Sequence, residues 1–177
     1  LMIGRLSPEK RQDLLLKAAK KSKYSDRIQL HFAGTGPNEK ALKKQGASLK
    51  HPPVFGYYQK GQLLDLIHTS DLYVHTSDAE IEAIACLEAV ACGLVPVISD
   101  SQKSATSQFA LDSRSTFRAG DAEDLARKID YWIEHPEEKH RMARVYVGSA
   151  EKYRIGRCIT KAEEMFEETL RDAGEIL

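Results

Sequence analysis

Apolar residues fall along this chain in short runs that alternate with longer stretches of helical spacing. Leu1 to Gly4 reads as the tail of a strand that begins with no turn or cap before it, as expected of a piece of a longer chain. Ser7-Pro8 predicts a helix start, because the serine hydroxyl can accept an orphan backbone N–H and proline loses nothing at the first helical position. That helix is expected to reach about Lys23, with Leu14, Leu15, Ala18 and Ala19 as its buried stripe. Ile28 to Ala33 reads as a second strand. Gly34-Thr35-Gly36-Pro37 ends it in a turn and opens a lysine-rich helix that fades at Gly46, before a third strand at Pro52 to Gly56. Gly61 to Thr69 suits a helix, Leu72 to His75 a buried strand, Ala83 to Cys92 a helix stopped by Gly93, and Leu94 to Ile98 another strand. A polar loop from Ser99 to Ser107 leads to a last strand near Ser115 to Phe117. Helices at Ala122 to Glu134, Pro136 to Val147 and Ile159 to Leu170 follow.

Apolar strands separated by helices call for a parallel sheet covered on both faces, joined by right-handed crossovers. The predicted fold is α/β: one Rossmann-like, doubly wound domain over residues 1–177, with about six strands and no linker or internal repeat. In such sheets ligands bind beyond the carboxyl ends of the strands, here the loops at 4–10, 34–37, 56–60, 76–82 and 99–107.

Composition narrows the class. The 177 residues are 42% hydrophobic and 29% charged, ordinary for a globular domain. No apolar run approaches the roughly 18 to 20 residues that cross a bilayer, and no signal-like segment opens the chain. Cys86, Cys92 and Cys158 lack C-x-x-C spacing, which disfavours a disulfide framework or a zinc knuckle and suits a reducing cytoplasm. Basic and acidic side chains balance at 26 each, but residues 1–60 hold 13 basic against 4 acidic. So local an excess argues for an anionic small ligand rather than nucleic acid.

Arg5 and Lys10 stand at the amino end of the first predicted helix, where the dipole disfavours cations unless a phosphate is shared with the free N–H groups, the alternative being that both are solvated surface charges. The same turn lacks G-x-G-x-x-G, and no acid closes the second strand, so a dinucleotide is disfavoured. G-x-x-x-x-G-K-[ST] and G-x-S-x-G are absent too. The stretch Ala83 to Cys92 is apolar on every side except Glu88, which predicts a buried helix whose one carboxylate accepts from ligand hydroxyls, with a Glu88 bonded to a neighbouring loop or exposed at the helix edge as the alternative. Glu80 lies eight residues earlier, at most roughly 12 Å away along a helix. That is about the span of a nucleotide sugar.

In this order, Gly4-Arg5-Leu6 to Lys10, Gly34-Thr35-Gly36-Pro37, Phe55-Gly56-Tyr57 and Glu80-x7-Glu88 followed by Ala-Val-Ala-Cys-Gly-Leu-Val-Pro-Val resemble the retaining GT-B glycosyltransferases of family four, across nearly the whole chain. The resemblance implies the carboxy-terminal, donor-binding half of such an enzyme, a fragment lacking the amino-terminal acceptor domain. It implies that Arg5 and Lys10 contact the diphosphate and are catalytic with Glu80, which meets the transferred sugar, while Glu88 meets the ribose. Gly4, Gly34, Gly36, Phe55, Gly56, Tyr57, Ile81, Glu82 and Ala83 would complete the donor site, with the Phe55 to Tyr58 loop bordering the base. The implied reaction moves a hexose from a nucleotide sugar, UDP-sugar favoured, to a glycan or lipid acceptor. It uses no metal and no cofactor, and the configuration is retained by front-face attack. A cytoplasmic enzyme follows, with contact at the inner face of the membrane left open, and the isolated domain is expected to transfer nothing. A GT-B epimerase, a phosphorylase and a non-catalytic nucleotide-binding module are the alternatives.

Two departures stand out. Glu80-Ile81-Glu82-Ala83 replaces a common Glu-Gly-Phe-Gly, and a positive φ at the stiff Ile81 would prevent the usual backbone cradle. Ser99 to Ser104 replaces a glycine pair followed by an acid. Of the remaining candidates, His75, with Asp71 flanking the same strand, reads as a packed or capping histidine, with a role in polarising the donor as the alternative. His135 and His140 read as surface residues, and the cysteines as small hydrophobes. The lysines from Lys10 to Lys50 read as a solvated face, with an anionic lipid surface as the alternative. In the resembled family the final amphipathic helix packs near the domain junction.

Overall fold

In a computed structural model, residues 1–174 are described. The strands are β1 (Met2–Ile3), β2 (His31–Ala33), β3 (Val54–Gly56), β4 (Leu72–His75), β5 (Ala79–Glu80), β6 (Val95–Ser99), β7 (Lys103–Ser104) and β8 (Thr116–Phe117). The helices are α1 (Gln12–Lys21), α2 (Glu39–Gly46), α3 (Lys60–His68), α4 (Ile84–Ala91), α5 (Ala122–Glu134), α6 (Pro136–Ala150) and α7 (Ile155–Gly174). Among the described residues all the strand pairs are parallel, in two three-stranded sheets ordered β1-β2-β3 and β4-β6-β8 and a two-stranded ladder of β5 and β7. Two backbone bonds join them: the Leu1 nitrogen donates to Leu72 O at 2.9 Å, and Val74 N–H donates to Leu1 O at 2.9 Å. The order across the molecule is therefore β3-β2-β1-β4-β6-β8, a doubly wound sheet that reverses direction between β1 and β4.

Right-handed crossovers put helices on both faces of that sheet. α1 packs on α5, and α4 packs on α6. The core between them is aromatic and aliphatic, with Trp132, Tyr73, Tyr146, Phe32 and Phe117 fully buried. Asp121 caps α5 by accepting from the N–H groups of Glu123 and Asp124, both at 2.9 Å. α7 buries none of its residues and leaves Ile155, Phe166 and Leu170 exposed.

The first helix differs from its expected form. Pro8–Lys10 makes a single 3-10 turn, Arg11 adopts a left-handed conformation (φ 52°, ψ 40°), and α1 starts at Gln12. Ser7 does not cap it; its hydroxyl donates to the Glu9 carboxylate. Tertiary bonds divert the backbone: Asp78 N–H donates to Glu9 O at 2.8 Å, and the Thr76 hydroxyl reaches Lys10 O at 2.8 Å and Arg11 O at 2.9 Å. α4 differs as well. Cys86, Ala89 and Val90 face the core, while Ile84 and Glu88 on the other side are exposed, so the helix is half buried. Its amphipathicity is hidden in the sequence because apolar residues also fill most of the outer positions.

Candidate functional site

Three loops at the carboxyl ends of β1, β2 and β3 form a continuous floor. Gly4 N–H donates to Ala33 O at 2.9 Å, Leu6 N–H to Thr35 O at 3.0 Å, Gly34 N–H to Gly56 O at 2.7 Å, and Asn38 N–H to Leu6 O at 3.0 Å. Approach this close needs glycine. A Cβ on Gly34 would stand 2.0 Å from Gly4 O, and one on Gly36 would stand 2.3 Å from Leu6 O. Above the floor opens a cleft of about 580 Å³ lined by Gly4, Arg5, Gly34, Gly36, Tyr57 and Tyr58, among others. Arg5 and Tyr57 are exposed there. Phe55 is not in the lining; it stacks on Phe32 with ring centroids 5.1 Å apart, under the Lys43 ammonium at 5.6 Å.

Beside the cleft lies a charged wall. The Lys10 side chain passes Gly4, with Cε 3.9 Å from where a Cβ on that glycine would be, and its ammonium is paired with the Glu80 carboxylate. Residues 70 positions apart are thus in contact, each with its side chain 18% exposed. Burial pushes the Glu80 carboxyl up, but the hydrogen bond and charge of Lys10 outweigh it and hold the group below its ordinary value. Glu80 also accepts from Ile81 N–H at 3.2 Å. Its backbone is held by the short β5–β7 ladder, Ala79 opposite Lys103 and Glu80 opposite Ser104, and by the Ser101 hydroxyl donating to Asp78 O at 2.5 Å. The 99–107 loop therefore anchors the strand that presents Glu80. Arg11 clamps the other side through Asp78 at 2.8 Å and Asp13 at 3.2 Å.

Behind Glu80 sits His75, 2% exposed, with Nδ1 3.1 Å from the Tyr73 hydroxyl and Nε2 3.6 Å from Glu80 Oε2. Burial lowers its pKa to about 4; Glu80 opposes the shift and Lys10 adds to it. The ring is neutral at pH 7. Among the described residues no group of three or more His, Cys, Asp or Glu side chains is arranged to hold a metal ion.

The sequence profile described as "Glycosyl transferases group 1" matches residues 1–145. The chain belongs to the group 1 glycosyltransferases. It is 46% identical, with a TM-score of 0.82, to the catalytic domain of cholesterol-alpha-glucosyltransferase from Helicobacter pylori, covering 86% of this chain and 98% of that one. More distant folds include TarM (22% identity, TM-score 0.79, 93% of this chain and 34% of that one) and Anabaena HepE solved with UDP (21%, 0.76, 97% and 48%). This chain spans under half the length of those two. A comparison with curated proteins gave no match.

In this glycosyltransferase domain the remaining expected site residues lie along the entry to α4. Ile81 and Glu82 are exposed, and the positive φ falls on Ala83 (φ 52°), buried at the amino end of the helix, rather than on Ile81. The stiff residue is thereby spared, and the alanine carries a strain of about 1 to 2 kcal/mol. Glu88 corrects the expectation of a buried carboxylate. It is exposed on the outer face of α4, with no side-chain hydrogen bond among the described residues. Its charge and that of Glu80 both raise the pKa of the Tyr73 hydroxyl, after burial and Cys86, so both acids act on the end of β4. The lysine face is largely paired: Lys17 with Asp13 at 2.9 Å, Lys21 with Glu123 at 2.8 Å, Lys23 with Glu134 at 3.1 Å and Lys43 with Glu39 at 2.6 Å. Tyr58, at the end of the loop expected to border the base, lines the cleft, whereas Arg11 and Thr76 belong to the site without having been named for it. Thr76 and Tyr58 fall in loops that the fold marks as ligand-facing. Arg11 carries no such local signal.

Proposed function

We propose that this domain binds a UDP-hexose across the carboxyl ends of its strands and supplies the donor half of a retaining hexosyl transfer, without a metal ion, to a glycan or lipid acceptor. The observation that carries this reading is the Lys10–Glu80 pair at the edge of a glycine-floored cleft that also holds the exposed Arg5. A cation for a diphosphate and an acid for sugar hydroxyls stand side by side. The 46% identity to a cholesterol-alpha-glucosyltransferase catalytic domain supports a hexose and a lipid-type acceptor, and the UDP in the HepE structure supports the base.

In this reading Tyr57 and Tyr58 flank the base, Glu88 accepts from the ribose hydroxyls, and Arg5 and Lys10 hold the diphosphate. The bond from the anomeric carbon to the diphosphate oxygen breaks while the acceptor oxygen bonds to the same face of that carbon. The acceptor proton passes to the leaving phosphate oxygen, whose growing negative charge Arg5 and Lys10 stabilise. Glu80 fixes the sugar hydroxyls. Bound alone, without an acceptor half, the domain holds nucleotide and transfers nothing.

Calorimetric titration of the chain with UDP, GDP and ADP tests this. UDP is expected to bind tightest, and Lys10→Ala to weaken it at least tenfold, since a hydrogen bond to a charged group contributes about 1.5 to 3 kcal/mol. No heat with UDP, or an unchanged affinity in Lys10→Ala, refutes the assignment.

A further inference from the structure

Glu80 has two cationic or donor groups within reach of one oxygen. Lys10 occupies Oε2 through a direct ion pair, and His75 Nε2 lies 3.6 Å from the same atom with no hydrogen-bond partner of its own. His75 and Tyr73 are buried to 2% and 0% exposure, so water does not compete for the ring. A neutral imidazole has one N–H and one lone pair. If the proton sat on Nδ1, the Nε2 lone pair would face a carboxylate lone pair across 3.6 Å in a buried setting. With the proton on Nε2, that N–H points at Glu80, and the Tyr73 hydroxyl, 3.1 Å away, donates to Nδ1. The carboxylate and the phenol therefore select the same tautomer.

We propose that His75 is a positioning residue for Glu80: locked as the Nε2–H tautomer by Tyr73, it takes over the Glu80 carboxylate when Lys10 turns to a diphosphate. This rests on the donor-site reading above in one respect, the departure of Lys10. Without a second donor, Lys10 leaving would strand a carboxylate whose side chain is 18% exposed with the Ile81 N–H as its remaining bond. Burying an ionised group without partners is costly, and a protonated Glu80 accepts from sugar hydroxyls less well. His75 removes that cost from a position where it contacts neither nucleotide nor sugar. The groups facing this pair are Lys10 from the loop after β1, whose charge acts on both members, Tyr73 on the same strand, bonded to His75, and Cys86 from α4, whose thiol feels the Glu80 charge.

The test uses the full chain in solution, first without nucleotide. Nitrogen NMR of the imidazole at pH 7 is expected to show Nε2 protonated and Nδ1 unprotonated in the parent, with the preference weakened in Tyr73→Phe. The opposite tautomer in the parent overturns the proposal. The Glu80 carboxyl is then titrated by carbon NMR in a Lys10→Ala background, where His75 is the remaining side-chain donor. Adding His75→Leu is expected to raise its pKa, and His75→Gln, which keeps an N–H at comparable reach, to restore it. Equal values in both overturn the proposal, because a residue that only packs moves neither. If His75→Leu fails to fold, Tyr73→Phe in the same background is expected to raise the Glu80 pKa, and no change there also overturns it. Finally, His75→Leu is expected to weaken UDP at least threefold more than UDP-glucose, whose sugar hydroxyls give Glu80 donors of their own, and the reverse order overturns the proposal. Failure of the parent to bind either nucleotide would sink the donor-site reading while leaving the tautomer and carboxyl results to decide the positioning role separately.

Discussion

Replacing Gly34 by alanine tests whether the floor of the cleft is as tight as its geometry demands. The new Cβ would stand 2.0 Å from Gly4 O and 2.8 Å from Gly4 C, at a backbone φ of +154° that side chains other than glycine rarely adopt. Carbon–oxygen contacts close no nearer than about 3.3 Å, so the ends of β1 and β2 must part by more than 1 Å. That separation breaks the bond from Gly4 to Ala33, at 2.9 Å. Backbone strain costs about 1 to 3 kcal/mol and overpacking about 1 to 3 more, for an expected loss of about 2 to 6 kcal/mol. Trp132 is the sole tryptophan and is fully buried, so its fluorescence during urea unfolding reports on the core. Gly61→Ala is the control. A Cβ there meets nothing within 4 Å, and a helical glycine replaced by alanine gains about 0.5 to 1 kcal/mol. A Gly34→Ala protein within about 1 kcal/mol of the parent would refute the reasoning.

The acid limb of stability carries the mark of His75. Its folded pKa of about 4 lies below the ordinary 6.5, so the folded state binds fewer protons between those values, and stability present above pH 6.5 is lost as pH falls toward 4. Roughly 3 kcal/mol is involved, and His75→Gln is expected to flatten the urea midpoint over that window. Glu80, held below its ordinary value, adds loss in the same direction at lower pH. Ala83→Gly relieves the left-handed backbone by about 1 to 2 kcal/mol and forfeits about 0.8 kcal/mol of methyl burial. It is therefore expected to be neutral or slightly stabilising, whereas a loss above 1 kcal/mol on denaturation would show that the left-handed turn is not strained. In a thiol-labelling time course Cys158, which is exposed, is expected to react first. Cys86, buried and with its thiol pushed far up, should react only on unfolding.

Long-period features were legible in the sequence, and contacts between distant residues were not. Leu72–His75 and Ala122–Glu134 coincide with β4 and α5 because continuous burial in one and a 3.6-residue stripe with an aspartate cap in the other leave unmistakable patterns. β5 and β7 were invisible, since Ala79-Glu80 and Lys103-Ser104 sit in polar loops without the large apolar residues that mark the equally short β1 and β8. Ser7-Pro8 misled because a good local start signal competes with a loop 66 residues away: Thr76 takes the Lys10 carbonyl and shares that of Arg11 with Leu14 N–H, so the regular helix starts only after Arg11. Ser99 to Ser104 looked like a departure from a ligand loop, and its hydroxyls turn out to brace the strand under Glu80.

The site divides along the same line. Arg5, Lys10, Gly34, Gly36 and Glu80 were expected by type and position, and they come together at one cleft and the charged wall beside it. What could not be found is how the charges share one another. Lys10 and Glu80 each looked committed to a ligand, yet they are committed to each other, and any ligand must break or share that pair. In the proposed donor reading a diphosphate alone gains Lys10 and leaves Glu80 to His75 with no sugar, whereas a free sugar alone gains Glu80 and leaves Lys10 without its anion. In that reading a molecule carrying both groups would satisfy both partners at once, and the pair would favour nucleotide sugars over their separate halves. The histidine behind Glu80 matters for the same reason: it lowers the cost of opening the pair on the side that faces the sugar.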